Sequence, residues 1–185
     1  MALSDSPQTA PTATPAVEAL QLAKLIDERP ILSDLSFSIP AGSYVAILGA
    51  NGAGKSTLMK ITSTLATASS GELKCFGLSG MRAGPEIRRR LGLIGHQAML
   101  YRELSPRQNL ELFGRLYDVA DVKTRAAELL ELVRLTRRAD DPVKDFSRGM
   151  TQRVSIARAL MHSPDLLLAD EPFAGLDAPS THTIE

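Results

Sequence analysis

The stretch that decides the fold is GANGAGKST, residues 49–57, a glycine-rich run that ends in Lys-Ser-Thr. A glycine, four variable residues, then glycine, lysine and a hydroxyl residue is the pattern of a phosphate-binding loop. Glycines let the backbone turn so that successive N–H groups converge on phosphate oxygens, and the following helix adds its positive N-terminal end. The predicted phosphate-binding residues are Gly49, Ala50, Asn51, Gly52, Ala53, Gly54, Lys55, Ser56 and Thr57.

Two residues of this loop have separate predicted roles toward a bound nucleotide. Lys55 can reach the outer phosphates of a nucleoside triphosphate, and the Ser56 hydroxyl can ligate a Mg²⁺ ion beside them. A glycine-rich turn with a solvated lysine would match the same sequence pattern. The flanking sequence favours the phosphate loop, because SYVAIL (43–48) predicts a strand covered on both faces and KSTLMKITSTLA (55–66) predicts a helix. ATP with Mg²⁺ is therefore the predicted cofactor pair.

The rest of the chain alternates between strand and helix patterns. Strands are predicted at 19–25 and 31–39 as a half-buried antiparallel edge, at 71–77 as a short strand, and at 91–95 and 165–170 as buried strands. The segment between the last two strands is mostly helical, with a capping-box helix start at SPRQ (105–108). The predicted fold is α/β, with a mainly parallel core sheet, an antiparallel β edge and an α-helical subdomain at about residues 98–162.

The composition restricts the class of protein. Apolar residues make up 44% of the 185 residues, enough for a core, and 21 Lys and Arg balance 21 Asp and Glu. A neutral chain does not bind nucleic acid through bulk positive charge, so no nucleic-acid partner is expected. The one cysteine excludes an internal disulfide, and no apolar run approaches the roughly 18 residues of a membrane span. Residues 1–17, rich in Ser, Thr, Pro and Ala, predict a disordered tail before one domain at 18–185.

A second candidate site follows the apolar run in LLLADEP (166–172), which leads into two adjacent carboxylates. At the end of a strand, Asp170 is placed to hold the Mg²⁺ shell, and Glu171 is placed to polarise the water that attacks the terminal phosphate. Carboxylates that merely face solvent are common at strand ends. The phosphate loop upstream favours the other interpretation, with Asp170 as a metal residue and Glu171 as the catalytic residue.

Together these motifs resemble the ATP-binding subunits of ABC transporters over about residues 18–180. GANGAGKST matches the family's Walker A motif, and the carboxylate pair after LLLA matches Walker B. Three further matches follow the family's order: Gln97 at the Q-loop, FSRGMTQR (146–153) at the signature motif, and AGLD at the D-loop, ending at Asp177. The resemblance implies that Gln97 belongs to the metal site and Asp177 to the nucleotide site.

The predicted helix in FSRGMTQRVSIARAL (146–160) begins with a hydroxyl and a bare backbone. A helix N-terminus with a serine hydroxyl and free N–H groups attracts anions. In the family this end faces the γ-phosphate bound by a partner subunit, which implies that Ser147 and Gly149 contact the other chain's ATP in a head-to-tail dimer. In the alternative interpretation Ser147 is only a helix cap, which leaves Gly149 without a role.

The sequence departs from the family pattern in two places. Arg148 and Met150 stand where the signature motif usually has glycine and glutamine. Leu25 and Ile26 stand where the family stacks an aromatic ring on adenine. Because such stacking is worth roughly 1–3 kcal/mol per base, we expect a modest ATP affinity, most of it supplied by the phosphates.

The finer resemblance, over residues 91–119 and 138–160, is to the ATPase subunit of the haem exporter of cytochrome c maturation. Exporters of drugs or polysaccharides share much of this pattern and are the alternative. Either implies integral membrane transporter subunits as partners and a peripheral position on the cytoplasmic face of the cell membrane. Three other classes fit the sequence less well. A soluble ABC ATPase of translation or DNA repair would carry a second cassette or a coiled-coil insert, and this chain has neither. A P-loop kinase would have no use for the signature helix, and a non-catalytic nucleotide-binding partner would not need Glu171.

The end of the chain carries a last expectation. The family's cassette continues after the D-loop with a helix, a strand and a histidine that contacts the γ-phosphate, whereas this sequence ends eight residues after Asp177. His182 is too close to Glu171 to take that histidine's role. The resemblance thus implies a truncated cassette that lacks its C-terminal strands and histidine loop and hydrolyses ATP slowly or not at all.

Overall fold

The computed structural model describes residues 14–79 and 83–170, and the chain divides into two compact units, residues 1–83 and 84–185. The first unit contains β1 (Val17–Ile26), β2 (Arg29–Ile39), α1 (Lys55–Thr62), β3 (Ser70–Cys75) and β4 (Leu78–Ser79). The second contains α2 (Gly84–Arg89), β5 (Leu91–Ile94), α3 (Pro106–Leu116), α4 (Val122–Leu132), α5 (Arg148–Ala159) and β6 (Leu166–Ala169).

The first unit is built on a four-stranded antiparallel sheet in the order β2-β1-β3-β4. Its central hairpin, between β1 and β2, turns at Asp27 and Glu28, whose φ angles are 48° and 63°. Two positive φ angles in a two-residue turn match the twist of the flanking strands. The antiparallel edge predicted for residues 19–25 and 31–39 is therefore confirmed.

The predicted disordered tail gives way to β1 one residue before the predicted domain start at residue 18. Ala16 and Val17 are already buried, and the Ala16 N–H donates to the Ile39 carbonyl at 2.9 Å. Pairing with β2 thus orders the chain at this point. Residues 1–13, the rest of the predicted tail, lie outside the described residues.

Helix α1 packs against the sheet of the first unit through the apolar side chains that its sequence spacing predicts. The buried cluster consists of Leu58 and Ile61 from α1 and Ala19, Leu22 and Leu32 from the strands. Leu65, predicted to lie on the same helical face, follows the end of the helix and is 57% exposed. The packing of Leu58 and Ile61 against the strands therefore fixes α1, including its first residues, on the sheet of the first unit.

The segment SYVAIL (43–48) is not the buried strand that its apolar run predicts. It pairs with no strand among the described residues, Tyr44 is fully exposed and Leu48 is 91% exposed. A continuous apolar run indicates a buried strand only where neighbouring strands cover it, and the described part of the first unit places none beside this run. The prediction is wrong for this segment.

The second unit contains the parallel strands that the sequence predicts. β5 and β6 pair in register from Leu91 opposite Leu166 to Ile94 opposite Ala169. β5 is mostly buried, as expected, but β6 is not, and Leu167 is 44% exposed. In the described part of the chain β6 pairs with β5 alone, so its other edge has no strand partner.

Helices α3, α4 and α5 lie between these strands in sequence and share one apolar core. Their buried cluster includes Leu110, Ala126, Leu129, Leu130, Val154, Ala157 and Met161. α3 begins with the predicted capping box, in which the Ser105 Oγ accepts from the Gln108 N–H and the Gln108 side chain accepts from the Ser105 N–H. The three helices lie within the predicted helical subdomain, whose boundaries at about residues 98–162 stay a prediction.

No helix within residues 14–79 or 83–170 combines the length and apolar character needed to cross a membrane.

Candidate functional site

The predicted phosphate loop leads directly into the start of α1. Gly54 precedes the helix in the left-handed region, at φ 87°, and no side chain caps the helix start. The first N–H groups of a helix have no partner within the helix and carry a partial positive charge. A helix start without a side-chain cap, reached through exposed residues 51–53, can therefore present these amides to an anion.

Gly54 also fixes where the loop lies against β2. A Cβ at this position would lie 2.8 Å from the Ile31 carbonyl oxygen and 2.7 Å from Leu32 Cδ2. A side chain is thus excluded both by the backbone conformation and by the neighbouring strand. Gly52 has a similar φ of 83°, but nothing lies within 4 Å of a Cβ built there. The close approach of the loop to the sheet therefore requires glycine at 54 specifically.

Lys55 folds back over the loop. Its Nζ donates to the Gly49 carbonyl at 2.6 Å and to the Ala50 carbonyl at 2.8 Å. A lysine ammonium carries three N–H donors, so these two bonds leave one donor for an outside acceptor. The positive charge therefore lies beside the same backbone that would bind a phosphate, and the reach of Lys55 to the outer phosphates stays a prediction.

The predicted metal residues are distributed between the two units. Ser56 is the second residue of α1 and is exposed, whereas Gln97 and Asp170 belong to the second unit. Within the described ranges no three His, Cys, Asp or Glu side chains cluster closely enough to hold a metal ion. Mg²⁺ usually takes only one or two protein ligands and completes its shell with phosphate oxygens and water. The chemistry of a hydroxyl, an amide and a carboxylate fits that ion.

Asp170 and Gln97 follow the carboxyl ends of the parallel strands. The Asp170 N–H donates to the Ile94 carbonyl at 2.8 Å, which places it directly beside the end of β5. Gln97 follows β5 by three residues and is exposed. In open α/β sheets, ligands bind at the edge formed by the carboxyl ends of the strands. The two residues thus leave the sheet at the edge where a ligand is expected.

Ser147 caps α5, as the alternative interpretation of this residue requires. Its Oγ accepts from the Met150 N–H at 3.3 Å, and the side chain is exposed. A hydroxyl has one donor in addition to its acceptor sites, so the cap leaves the Ser147 O–H free to donate to an anion. Gly149 follows in the first turn of the same helix. Capping and phosphate contact by Ser147 are therefore compatible.

The start of α5 and the segment that carries Gln97 share a cavity of about 310 Å³. Gly95 and His96 line it from the segment after β5, and Arg148 and Thr151 line it from α5. No residue that lines the cavity carries a carboxylate. Arg148, which replaces a signature glycine, therefore lies on the side of α5 that faces the Gln97 segment.

The aliphatic residues expected at the adenine lie in the same unit as the phosphate loop. Leu25 and Ile26 end β1 and are 48% and 47% exposed. They form an apolar surface at the β1–β2 hairpin that a base could contact without stacking.

Two polar residues, the buried Asn109 and the half-buried Arg158, form contacts that no sequence pattern predicts. Asn109 is fully buried in α3 and hydrogen-bonds to the backbone of Tyr101. Arg158 lies in α5 and contacts the Leu93 carbonyl and the Phe113 ring. The available signal was a polar residue within an otherwise apolar helical stretch, as in VSIARAL.

Glu171 and Asp177, the predicted catalytic residue and D-loop residue, lie outside the described residues, as does His182.

Comparison with known proteins places these features in a family context. The family model described as ABC transporter matches residues 32–174. The linearmycin resistance ATP-binding protein LnrL of Bacillus subtilis (strain 168) is 36% identical over 170 residues, 91% of this chain and 55% of that protein. The Nod factor export ATP-binding protein I of Rhizobium meliloti (strain 1021) is 35% identical over 173 residues, 92% of this chain and 52% of that protein. The chain spans about half the length of these curated relatives.

Solved structures resemble the chain over most of its length. A structure of an ATP-binding subunit of an ABC transporter is 34% identical, with a TM-score of 0.83 over 91% of this chain and 71% of that one. A dimeric ATP-binding cassette in a post-hydrolysis state, bound to ADP and phosphate, is 29% identical, with a TM-score of 0.82 over 91% of this chain and 79% of that one.

Proposed function

The chain belongs to the ABC transporter family, and from that premise we propose that it is an ATP-hydrolysing subunit of an exporter. Its α/β fold is that of the family's nucleotide-binding domains, as the sequence predicted. The observation that carries the proposal is the start of α1, where no side chain caps the helix and the Lys55 ammonium lies over the preceding loop. Such a helix start stabilises the phosphates of a nucleotide.

The proposed reaction is hydrolysis of Mg·ATP. The loop amides and Lys55 would hold the β- and γ-phosphates. Ser56, Gln97 and Asp170 would hold the Mg²⁺ ion, which would neutralise charge on the phosphate oxygens. Water attacks the γ-phosphorus, the bond to the β–γ bridging oxygen breaks, and ADP leaves with the electron pair of that bond. Glu171 polarises the attacking water and accepts its proton. The exit of Gln97 and Asp170 from one edge of the β5–β6 pair supports this division of roles.

A second copy of the chain completes the proposed site. Ser147 and Gly149 at the start of α5 contact the γ-phosphate held by the partner, and the role proposed for Asp177 is in the nucleotide site. The unused donor of the Ser147 hydroxyl supports this role, because a cap alone needs only the acceptor. One similar solved structure is itself a dimer with ADP and phosphate. The proposed assembly is therefore a head-to-tail dimer with two nucleotides.

Membrane subunits are the proposed partners of this dimer, which would hold it peripherally at the cytoplasmic face of the membrane. We define the docking surface as Met99 and Tyr101, which are 43% and 57% exposed and follow Gln97 closely. Leu100 does not contribute, because it packs against the helical core. An exposed apolar pair close to Gln97 in the sequence is suited to contact with a cytoplasmic segment of a transporter.

The names of the relatives favour the drug or polysaccharide exporter over the haem exporter. They refer to Nod factor export and to resistance to linearmycin, and a 38% identical relative from Streptomyces coeruleorubidus is the daunorubicin resistance ATP-binding protein DrrA3, matched over 83% of this chain and 49% of that protein. None of these names refers to haem. We therefore propose export of a drug-like or saccharide molecule, with selectivity supplied by the membrane subunits.

The experiment that tests the proposed function combines phosphate release with sedimentation. In a full-length protein, Glu171→Gln should retain ATP binding, abolish phosphate release and accumulate an ATP-dependent dimer, because bound nucleotide stabilises the associated state by mass action. Adding Ser147→Arg should abolish that dimer while each chain still binds ATP. Thr136→Arg, which places the same charge on an exposed turn of the second unit, is the matched control and should leave the dimer intact. Dimerisation that survives Ser147→Arg would refute the assigned interface.

A further inference from the structure

A single guanidinium joins three segments of the second unit. Arg158 on α5 donates to the Leu93 carbonyl of β5, lies 5.4 Å from the Phe113 ring centroid on α3, and lies 3.9 Å from the Sδ atom of Met99. Burial lowers the pKa of this arginine. None of the ion pairs among the described residues includes it.

Packing alone does not account for an arginine at this position. A buried charge costs free energy unless it is paired, and a buried polar atom costs free energy unless it is hydrogen-bonded. Arg158 Nε is buried and has no hydrogen-bond partner in the described structure. An unbranched apolar side chain would fill the same space without that cost. The contacts that only a guanidinium makes here, to a carbonyl, a sulfur and a ring face at once, are what distinguish it.

A second polar side chain holds the same segment from α3. The Asn109 Oδ1 accepts from the Tyr101 N–H at 2.8 Å, and its Nδ2 donates to the Tyr101 carbonyl at 3.0 Å. The Tyr101 ring is tilted against Phe113 at a centroid distance of 6.4 Å. The docking surface, Met99 and Tyr101, is therefore held at both of its residues, by Arg158 and by Asn109.

The same helix that carries Arg158 begins at the predicted phosphate contact. Ser147 caps α5, and Arg158 lies in its last turn. At 1.5 Å of rise per residue the two ends are roughly 16 Å apart. If α5 moves as one body, a displacement at its start would reach Arg158 and, through Arg158, Met99.

We propose that Arg158 is a positioning residue that couples the docking surface to the nucleotide-facing start of α5. The inference rests on the proposed function, because it needs both the ATP-dependent dimer and the surface at Met99 and Tyr101. Closure of the dimer on ATP would move the start of α5, and the contacts of Arg158 would carry that movement to the surface on which a membrane subunit docks. The converse follows by linkage, so that docking would favour the closed dimer.

The chain contains no tryptophan, which permits a single reporter on the docking surface. Tyr101→Trp in the Glu171→Gln background should change its fluorescence when ATP is added and the dimer forms. Adding Ser147→Arg should remove both the dimer and the fluorescence change, as expected if the signal depends on dimer formation. Adding Arg158→Met should retain the dimer, measured by sedimentation, and lose the fluorescence change.

Arg153→Met is the matched control for the loss at Arg158. Arg153 lies on the same helix and, like Arg158, has a buried Nε without a hydrogen-bond partner in the described structure. It donates to the Val133 carbonyl at 3.3 Å, at the end of α4, and so does not hold the docking surface. The dimer and the fluorescence change should both persist in this variant. Equal responses in the two methionine variants would overturn the coupling and leave the proposed function intact.

Met99→Leu tests the coupling without removing the Arg158 charge. It keeps the bond from Arg158 to Leu93 but removes the sulfur that Arg158 contacts, so the fluorescence change should decrease while the dimer persists. Loss of the dimer in Arg158→Met would show a merely structural role and would overturn the inference. Failure of the parent protein to dimerise on ATP would overturn the proposed function itself, and the coupling with it.

Discussion

Helices α1 and α3 begin in opposite ways, although both begin within well-packed units. α3 satisfies its first N–H groups internally, through the reciprocal bonds of Ser105 and Gln108 and a proline at its first position. α1 begins after Gly54 with no side-chain cap at all. A capping box stabilises a helix start, so its absence from α1 forgoes stability. What is gained is a set of amides open to an anion.

Helix α5 lies between these two cases. The Ser147 Oγ caps α5 by accepting one bond, from the Met150 N–H at 3.3 Å. In α3 the residue three positions after the serine is Gln108, whose side chain returns a bond, but in α5 this residue is Met150, which has no group that can do so. Its helix start is therefore only partly satisfied by its own chain. α3, which is fully capped, has no predicted phosphate contact, whereas the partly capped α5 and the uncapped α1 both have one. The state of the cap, more than the presence of a serine, distinguishes a structural helix start from a binding one.

Removing the charge from the open helix start should have the largest effect. Lys55→Ala should weaken ATP binding about 10- to 100-fold, because a charge-assisted hydrogen bond contributes about 1.5–3 kcal/mol. Calorimetric titration with Mg·ATP measures this. Lys60→Ala, in the last turn of the same helix, is the control and should leave the affinity unchanged. An unaltered affinity in Lys55→Ala would remove α1 from the nucleotide site.

Adding a side chain at Gly54, the residue before α1, should have the next largest effect. Gly54→Ala should lower the free energy of unfolding by about 2 kcal/mol, because the left-handed conformation costs an alanine roughly 1–2 kcal/mol and the Cβ also approaches Ile31 and Leu32. Gly52→Ala pays for the conformation without the contacts, so its loss should be smaller, about 1 kcal/mol. Urea unfolding of both variants measures the difference. Equal losses would mean that the loop does not approach β2 as described.

Truncating the two serine caps should give the smallest effects and the sharpest contrast. Ser105→Ala should cost about 1 kcal/mol of stability and leave ATP-dependent association unchanged. Ser147→Ala should cost about 0.5 kcal/mol, because its cap is exposed and longer, yet it should weaken the ATP-dependent dimer of the Glu171→Gln protein. Urea midpoints and sedimentation together separate the two serines. If Ser147→Ala changes only stability, then Ser147 is a helix cap of the same kind as Ser105.

The elements that could be predicted from the sequence are those with a local cause. The capping box of α3 and the glycine at the start of α1 depend on residues a few positions apart, and the antiparallel edge joins strands that are neighbours in the sequence; all three were predicted. The buried strand at residues 43–48 was not confirmed, because its burial depends on partner strands that local sequence does not specify. The partial exposure of β6 has the same origin.

The candidate site divides in the same way. The phosphate loop is predicted from nine consecutive residues, and its binding role stays a prediction. The role proposed for Arg158 depends on Leu93, Met99 and Phe113, which lie 45 to 65 positions away in the sequence. No periodicity or motif relates such residues. Long-range contacts of this kind become visible only when the helices are placed against the strands.

The parallel pairing of β5 and β6 has a consequence for how this chain can vary in length. Parallel neighbours cannot be joined by a tight turn, so the chain between them is a crossover, closed at its base by the exposed Arg90–Asp165 pair, whose residues are 75 positions apart. The entropy of closing a loop grows only logarithmically, and doubling its length costs about 0.6 kcal/mol. In the exposed turns between the helices, such as the turn at Thr136, insertions should therefore cost little and need not disturb the strand register at the edge that carries Asp170.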